Sequence, residues 1–179
     1  MAEREVYSMA EHSINTEHNM NDLTKTSLEA QVVSLLRDKG LTVSTAESCT
    51  GGLIGASIVN VSGASEVFHE GYITYSNEAK MKLLGVSAQT LEEFKAVSKE
   101  TAYEMAKGGA AHAGSDVCIA VTGVAGPSME DNKPVGLVFI GCFYKENVVV
   151  KEFHFSGNRQ QIREAAVCES LSLILSVVQ

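Results

Sequence analysis

The sequence predicts an α/β domain, a three-layer α/β/α fold with a mixed central sheet that includes a C-terminal antiparallel hairpin. Three observations carry this. β-rich runs alternate with helix-period runs from residue 41 to residue 122, the pattern that lays helices over both faces of a sheet. Two further β-rich runs, 135–144 and 148–155, are joined only by Lys145-Glu146-Asn147, short enough for an antiparallel turn. Finally, Ile162, Ala165, Ala166, Cys168, Leu171, Leu175 and Val178 give residues 158–178 one broad apolar helical stripe.

Each element has its own signal. Residues 1–25 are polar, with no sustained apolar period, and read as a tail preceding a domain over 26–179. Thr26 and Glu29 have capping-box spacing, and Leu28, Val32, Leu35 and Leu36 share a helical face that ends at Lys39-Gly40. A strand is expected over 41–45, then a turn at Ser48, then an apolar helix over about 50–59. The unit repeats with a strand over 71–75, Ser76 or Asn77 as cap, and a short helix carrying Lys80, Leu83 and Leu84 to Gly85. A helix over 98–113 turns Ala102, Met105 and Ala106 inward, and a buried strand over 116–122 leads into a loop over 123–133.

Composition narrows the function. The 179 residues suffice for one domain, of which about 100–150 residues is typical. A net charge of −8 and the absence of any Lys/Arg cluster exclude non-specific nucleic-acid binding, so an anionic ligand must be met by one or two local cations and backbone amides. No apolar run reaches the ~20 residues of a membrane span, and the N-terminus lacks a signal-peptide core. The four cysteines are far apart, three of them in apolar runs, which suits reduced thiols; a cytoplasmic protein with no membrane contact is the expectation.

Ser48 falls between a strand and a helix, where unpaired N–H groups can hold an oxyanion or a phosphate and Gly51 and Gly52 allow close approach. By position alone, capping by Ser48 or Thr50 is the commoner explanation. A serine nucleophile needs a base. His12, His18, His69, His112 and His154 stand in no motif, whereas Tyr75-Ser-Asn-Glu-Ala-Lys80 puts a phenol and an amine near one sheet edge. A lysine partly withdrawn from water loses basicity enough to accept a proton, although a solvated lysine is the ordinary case at such a spacing. Thr122-Gly-Val-Ala-Gly-Pro127 offers a hydroxyl and close amides, and Arg159 and Arg163 stand one turn apart at the start of the last helix, either on a solvated face or facing a phosphate. Walker, dinucleotide, Gly-x-Ser-x-Gly and Ser-x-x-Lys patterns are missing, as are spaced metal ligands, so neither metal nor other cofactor is expected.

Taken together, Ala46-Glu-Ser-Cys-Thr-Gly-Gly52, Gly71-Tyr-Ile-Thr-Tyr-Ser-Asn-Glu-Ala-Lys80, Ala96-Val-Ser98, Ala120-Val-Thr-Gly-Val-Ala-Gly-Pro127, Lys133-Pro-Val-Gly136 and Gly157-Asn-Arg159 resemble the CinA C-terminal family, in order, from about Leu28 to the final helix. The resemblance implies a nicotinamide-nucleotide amidase: nicotinamide mononucleotide and water give nicotinate mononucleotide and ammonia, a pyridine-nucleotide salvage step. It implies Ser48 as nucleophile, Lys80 as base and Tyr75 as an orienting or relaying hydroxyl. Thr50, Gly51, Gly52, Asn77, Thr122, Gly123 and Gly126 would line the substrate site, with Arg159 on the phosphate. A partner subunit of a homo-oligomer could supply that cation instead.

Two departures from the family pattern bear on substrate choice. Lys95 stands where the family has glycine before Ala-Val-Ser, and Ser128-Met-Glu-Asp-Asn132 replaces a glycine-rich loop. If that loop covers the nucleotide, Glu130 and Asp131 repel a phosphate, so a different amide could be the substrate. The family's larger proteins also carry an N-terminal pyrophosphatase-like domain. The competing class is a catalytically silent ligand- or partner-binding module linked to competence or recombination, which has no need of Ser48, Tyr75 and Lys80 together.

Overall fold

The computed structural model describes residues 26–179, so the predicted tail over 1–25 lies outside the described residues. Strand parity organises what is described. Along β3 (Val117–Gly123), Val117, Ile119 and Val121 face one layer while Cys118 and Ala120 face the other, as a period of two requires. The first layer is α1 (Leu28–Lys39), α2 (Leu53–Val59) and α6 (Arg159–Val178); the second is α3 (Asn77–Leu84), α4 (Ala88–Glu93) and α5 (Lys99–Ala113). Between them lies one five-stranded sheet in the order β2-β1-β3-β4-β5. The fold is the predicted α/β class with a mixed sheet.

β1 (Val43–Glu47) pairs in parallel with β2 (Phe68–Ile73) and with β3, whereas β4 (Leu137–Tyr144) and β5 (Asn147–His154) form the antiparallel hairpin. Their turn is tighter than expected: Lys145 and Glu146, both at positive φ, suffice. β5 again runs parallel to β3, so the carboxyl ends of β1, β2, β3 and β5 lie on one edge. The turns after these strands carry Ser48, Tyr75, Gly126 and Arg159, and the topology gathers them there.

The core is continuous on the α1/α2/α6 side, where Leu36, Ile54, Ile58, Ile162, Leu171 and Ile174 are fully buried against β1, β3 and β4. Each such side chain stabilises the fold by roughly 1.5–3 kcal/mol of transfer free energy. On the other side α5 presents Ala102, Ala106, Gly109 and Ala110, small enough to bring the helix down onto the sheet. Among the described residues no helix is long and apolar enough to cross a membrane.

Several expected boundaries shift. The Thr26–Glu29 capping box does not form, because Ser27 takes the N-cap position in extended geometry without a side-chain cap bond, and Thr26 offers only its carbonyl to Gln31. β1 lies two residues later than read. α2 starts at Leu53, since Gly51 and Gly52 at φ 60° and 96° belong to the turn. β2 begins at Phe68 and stops at Ile73, which leaves Tyr75 beyond the strand. α4 carries too few apolar residues for its period to show. Ser76 and Ser98 cap α3 and α5 through the amides of Ala79 and Thr101, and Asn158 with Gln161 forms a full capping box on α6.

Candidate active site

The site follows from the parity of β1. Glu47 has the parity of Val43 and so faces α2, while Ser48, the next residue, turns toward the layer of α3 and α5. Glu47 is only 1% exposed, and no sequence signal had singled it out. Its carboxylate accepts from the Thr50 hydroxyl at 2.7 Å and from the amides of Gly52, Ile54 and Gly55 at 2.9, 3.1 and 2.9 Å. A charge so placed satisfies the orphan N–H groups of α2 and fixes the Ser48 turn. Its detectable trace is the adjacency of a carboxylate to Ser48 and of Thr50 three residues on, which fits an acidic cap as well as a substrate wall.

From the other side, Arg163 donates Nε–H to the Cys49 carbonyl at 3.1 Å and a terminal N–H to the Thr50 carbonyl at 2.7 Å. The two arginines one turn apart on α6 therefore have different roles: Arg163 clamps the serine turn and Arg159 faces the cavity. The Ser48 amide is itself spent on the Val121 carbonyl at 3.0 Å. Among the described residues, the amides of Cys49 and Thr50 donate to no other residue.

Lys80 reaches Ser48 from the opposite layer. Ser76 caps α3, so the first helical turn points the Lys80 side chain back toward the strand ends, following the tilt of helical side chains. Its Nζ donates to Ser48 Oγ at 3.2 Å and to the Thr74 carbonyl at 2.9 Å. Lys80 is 1% exposed. That burial holds its ammonium below the ordinary lysine value, opposed by the negative charge of Glu130. A neutral amine in this position can take the serine proton while its own N–H is held by Thr74. The neighbouring Cys49 is no rival nucleophile, because burial pushes its thiol up to about 12 and keeps it protonated.

A cavity of about 110 Å³ opens over this pair, walled by Tyr75, Asn77, Ala96, Thr122, Gly123, Gly126, Glu130 and Arg159 with Ser48 and Lys80 at its base. Arg159 donates to the Tyr75 hydroxyl at 3.1 Å and to the Gly126 carbonyl at 2.6 Å, joining the two sides of the mouth. Thr122 is buried with its hydroxyl on the Ala96 carbonyl at 2.7 Å. Gly123 is demanded by packing, since a Cβ there would stand 2.8 Å from the Leu137 carbonyl.

Of the residues expected at the site, Ser48, Lys80, Tyr75, Asn77, Thr122, Gly123, Gly126 and Arg159 are brought together. Thr50, Gly51 and Gly52 are not: they stand behind the serine, with the Thr50 hydroxyl and the Gly52 amide committed to Glu47. Glu130 joins the wall from the loop over 128–132. No described histidine lines the cavity; His154 pairs with Glu152, and His112 bonds the Gly108 carbonyl.

Fold and site together define an α/β domain with a serine and a buried lysine joined at the carboxyl ends of parallel strands. The CinA C-terminal domain model matches residues 25–178, and the chain belongs to that family. It is 53% identical over 149 residues to a CinA-like protein of Kosmotoga olearia, covering 83% of this chain and 36% of that protein. To a putative competence-damage inducible protein of Clostridium botulinum it is 48% identical over 159 residues, covering 88% and 39%. The chain thus spans a little over a third of the length of these curated relatives. Among solved structures, the competence/damage inducible protein CihA of Agrobacterium tumefaciens superposes with a TM-score of 0.82 at 39% identity, over 85% of this chain and 94% of that one. A competence or damage-inducible protein of Enterobacter asburiae gives 0.83 at 34% identity, over 87% and 100%.

Proposed function

We propose that this domain is an amidohydrolase that converts nicotinamide mononucleotide to nicotinate mononucleotide and ammonia by a Ser–Lys mechanism. One observation carries the reading: a desolvated amine, Lys80, lies 3.2 Å from the hydroxyl of Ser48 at the base of a polar cavity. A binding module gains nothing from burying a lysine against a serine, whereas a serine hydrolase requires a base there.

Neutral Lys80 takes the Ser48 proton as Oγ attacks the carboxamide carbon. The oxyanion forms beside the amide of Cys49, whose peptide plane is held by the bond from the Gly51 amide to the Ser48 carbonyl. Protonated Lys80 returns the proton to the amine, the C–N bond breaks and ammonia leaves. Water, deprotonated by the same lysine, then cleaves the acyl-serine to the carboxylate and restores the hydroxyl. Tyr75, held by Arg159, closes one side of the mouth, and Arg159 supplies the cation for the phosphate.

The test is incubation of the purified protein with nicotinamide mononucleotide, measuring ammonia and nicotinate mononucleotide, beside Ser48→Ala and Lys80→Ala. Both variants are expected to lose turnover while retaining nucleotide binding. Undiminished turnover in Ser48→Ala would remove the serine from the mechanism. Binding without turnover in the unaltered protein would favour the silent module.

A further inference from the structure

Three charged side chains reach the cavity, and two of them already have partners. Lys80 is tied to Ser48 and Thr74, and Arg159 to Tyr75 and Gly126. The third, Glu130, makes no side-chain hydrogen bond or ion pair with any described residue, yet its carboxylate lines the cavity above the serine. It is also firmly mounted. Glu130 and Lys133 exchange backbone hydrogen bonds at 3.3 and 2.8 Å across a two-residue turn whose central residues, Asp131 and Asn132, have φ of 46° and 61°.

The nearest cation on this turn is committed elsewhere. The Lys133 ammonium donates to the carbonyls of Phe94 and Val97 and so anchors the turn to the segment before α5. The cavity therefore holds a carboxylate with no bonded partner among the described residues, on a fixed support and facing the serine and a lysine that works when neutral.

We propose that Glu130 is a specificity-determining residue that selects amides carried on a positively charged ring, a pyridinium carboxamide, over neutral amides of the same shape. This rests on the amidase reading and names its substrate class more narrowly. An N-substituted nicotinamide carries a full positive charge on the ring, whereas free nicotinamide and the reduced dihydropyridine form carry none. A carboxylate facing the ring in a cavity partly shielded from water distinguishes them by charge alone. The charges on the wall then match a zwitterion: Glu130 toward the ring, Arg159 toward the phosphate. The acidic loop, which reads in the sequence as a defect for phosphate binding, thereby acquires a partner in the cationic half of the substrate.

The test uses calorimetric binding of 1-methylnicotinamide and of nicotinamide to the whole chain, together with kcat/KM for nicotinamide mononucleotide and for its reduced form. The cationic member of each pair is expected to be favoured about tenfold, the scale of one partly screened charge pair. Glu130→Gln is expected to bring both ratios near one by weakening the cation alone. Asp131→Asn, which alters the neighbouring carboxylate off the cavity wall, is expected to leave both ratios unchanged.

Equal affinity for the two probes in the unaltered protein, no binding of either, or an unchanged ratio in Glu130→Gln overturns the proposal. The two readings fail separately. Turnover of nicotinamide mononucleotide with no charge preference removes the role of Glu130 and keeps the amidase. A charge preference that Glu130→Gln abolishes, in a protein without turnover, keeps the role of Glu130 and removes the amidase.

Discussion

The turn that carries Ser48 and the loop that carries Glu130 face the same cavity from adjacent strands, and they are held in opposite ways. The serine turn is fixed from both sides by charge: Glu47 binds four donors on one side and Arg163 two carbonyls on the other. Between Val124 and Pro134 the second loop is held by a backbone turn, by Lys133 and by the bond from Arg159 to the Gly126 carbonyl, with no side chain of its own tied to the serine turn. The first arrangement tolerates little change without losing geometry, which suits the proposed nucleophile, a group that must be placed to a fraction of an ångström. The second can exchange side chains without disturbing the serine, which is where substrate choice can vary.

The sharpest way to break this contrast is at Lys80, the group both regions address. Lys80→Met is expected to lower kcat by at least about 10³-fold while raising thermal stability by about 1 kcal/mol, because a desolvated amine is replaced by an apolar chain of similar length. Amidase kinetics and thermal unfolding on one preparation check both; a fall in stability would make Lys80 a structural strut instead. Next is Glu47→Gln, whose amide offers one acceptor and an NH₂ group to four donors. Unfolding is expected to become easier by about 2–4 kcal/mol, with kcat falling as the serine turn loosens. Denaturant titration with parallel kinetics reads it, and intact kcat would show that Arg163 alone places Ser48.

The pH dependence addresses both regions at once. Facing Lys80 are Ser48, Cys49 and Thr74 at the serine turn and β2 end, and Glu130 on the loop, while Tyr75 and Arg159 close the mouth. Burial keeps the folded value below the ordinary 10.5, so between the two values the unfolded chain binds a proton that the folded chain has released. Stability from this group therefore rises with pH through that window and is lost as pH falls. In the proposed mechanism the neutral amine is the base, so kcat/KM is expected to climb through the same folded pKa. Glu130→Gln removes an opposing negative charge and is expected to move that climb to lower pH, whereas Asp131→Asn is not; a pH–rate profile of each variant tests this.

Much of this was legible in the sequence, and the exceptions have physical causes. The alternating runs, the tight hairpin and the last helix announce themselves because their apolar residues follow a period that burial enforces. Ser48, Tyr75 and Lys80 were visible as residue types at strand–helix junctions, and the family motifs joined them. The geometry separates what spacing could not. Thr50 and Gly52 share a motif with Ser48, yet strand parity turns Glu47 to the opposite face from Ser48, and it takes the Thr50 hydroxyl and the Gly52 amide with it. Glu47 was missed because a buried carboxylate satisfied by backbone amides has no sequence pattern apart from a neighbouring helix start. Arg159 and Arg163 look equivalent on a helix wheel and differ only in which loop comes to meet them.

The smallest expected effect lies at the seam between the two regions. Lys95 sits at φ 69°, a conformation that costs an L-residue with a side chain roughly 1–2 kcal/mol. Its carbonyl accepts from the hydroxyls of Ser98 and Thr101 at 2.9 and 2.8 Å, which fixes the chain direction into Ala96 and Val97 on the cavity wall. Lys95→Gly relieves the strain but adds freedom to the unfolded chain worth about 0.4–1 kcal/mol and removes an exposed bond from Nζ to the Glu92 carbonyl. The net gain is therefore expected to stay below about 1 kcal/mol, a shift in Tm of a few degrees, with kcat unchanged because the backbone bonds that shape the wall are kept. Thermal unfolding beside amidase kinetics measures it. A fall in kcat would mean that the lysine side chain, and not only its backbone, sets the cavity wall, and the division between a fixed serine turn and an adjustable loop would have to be redrawn to include this segment.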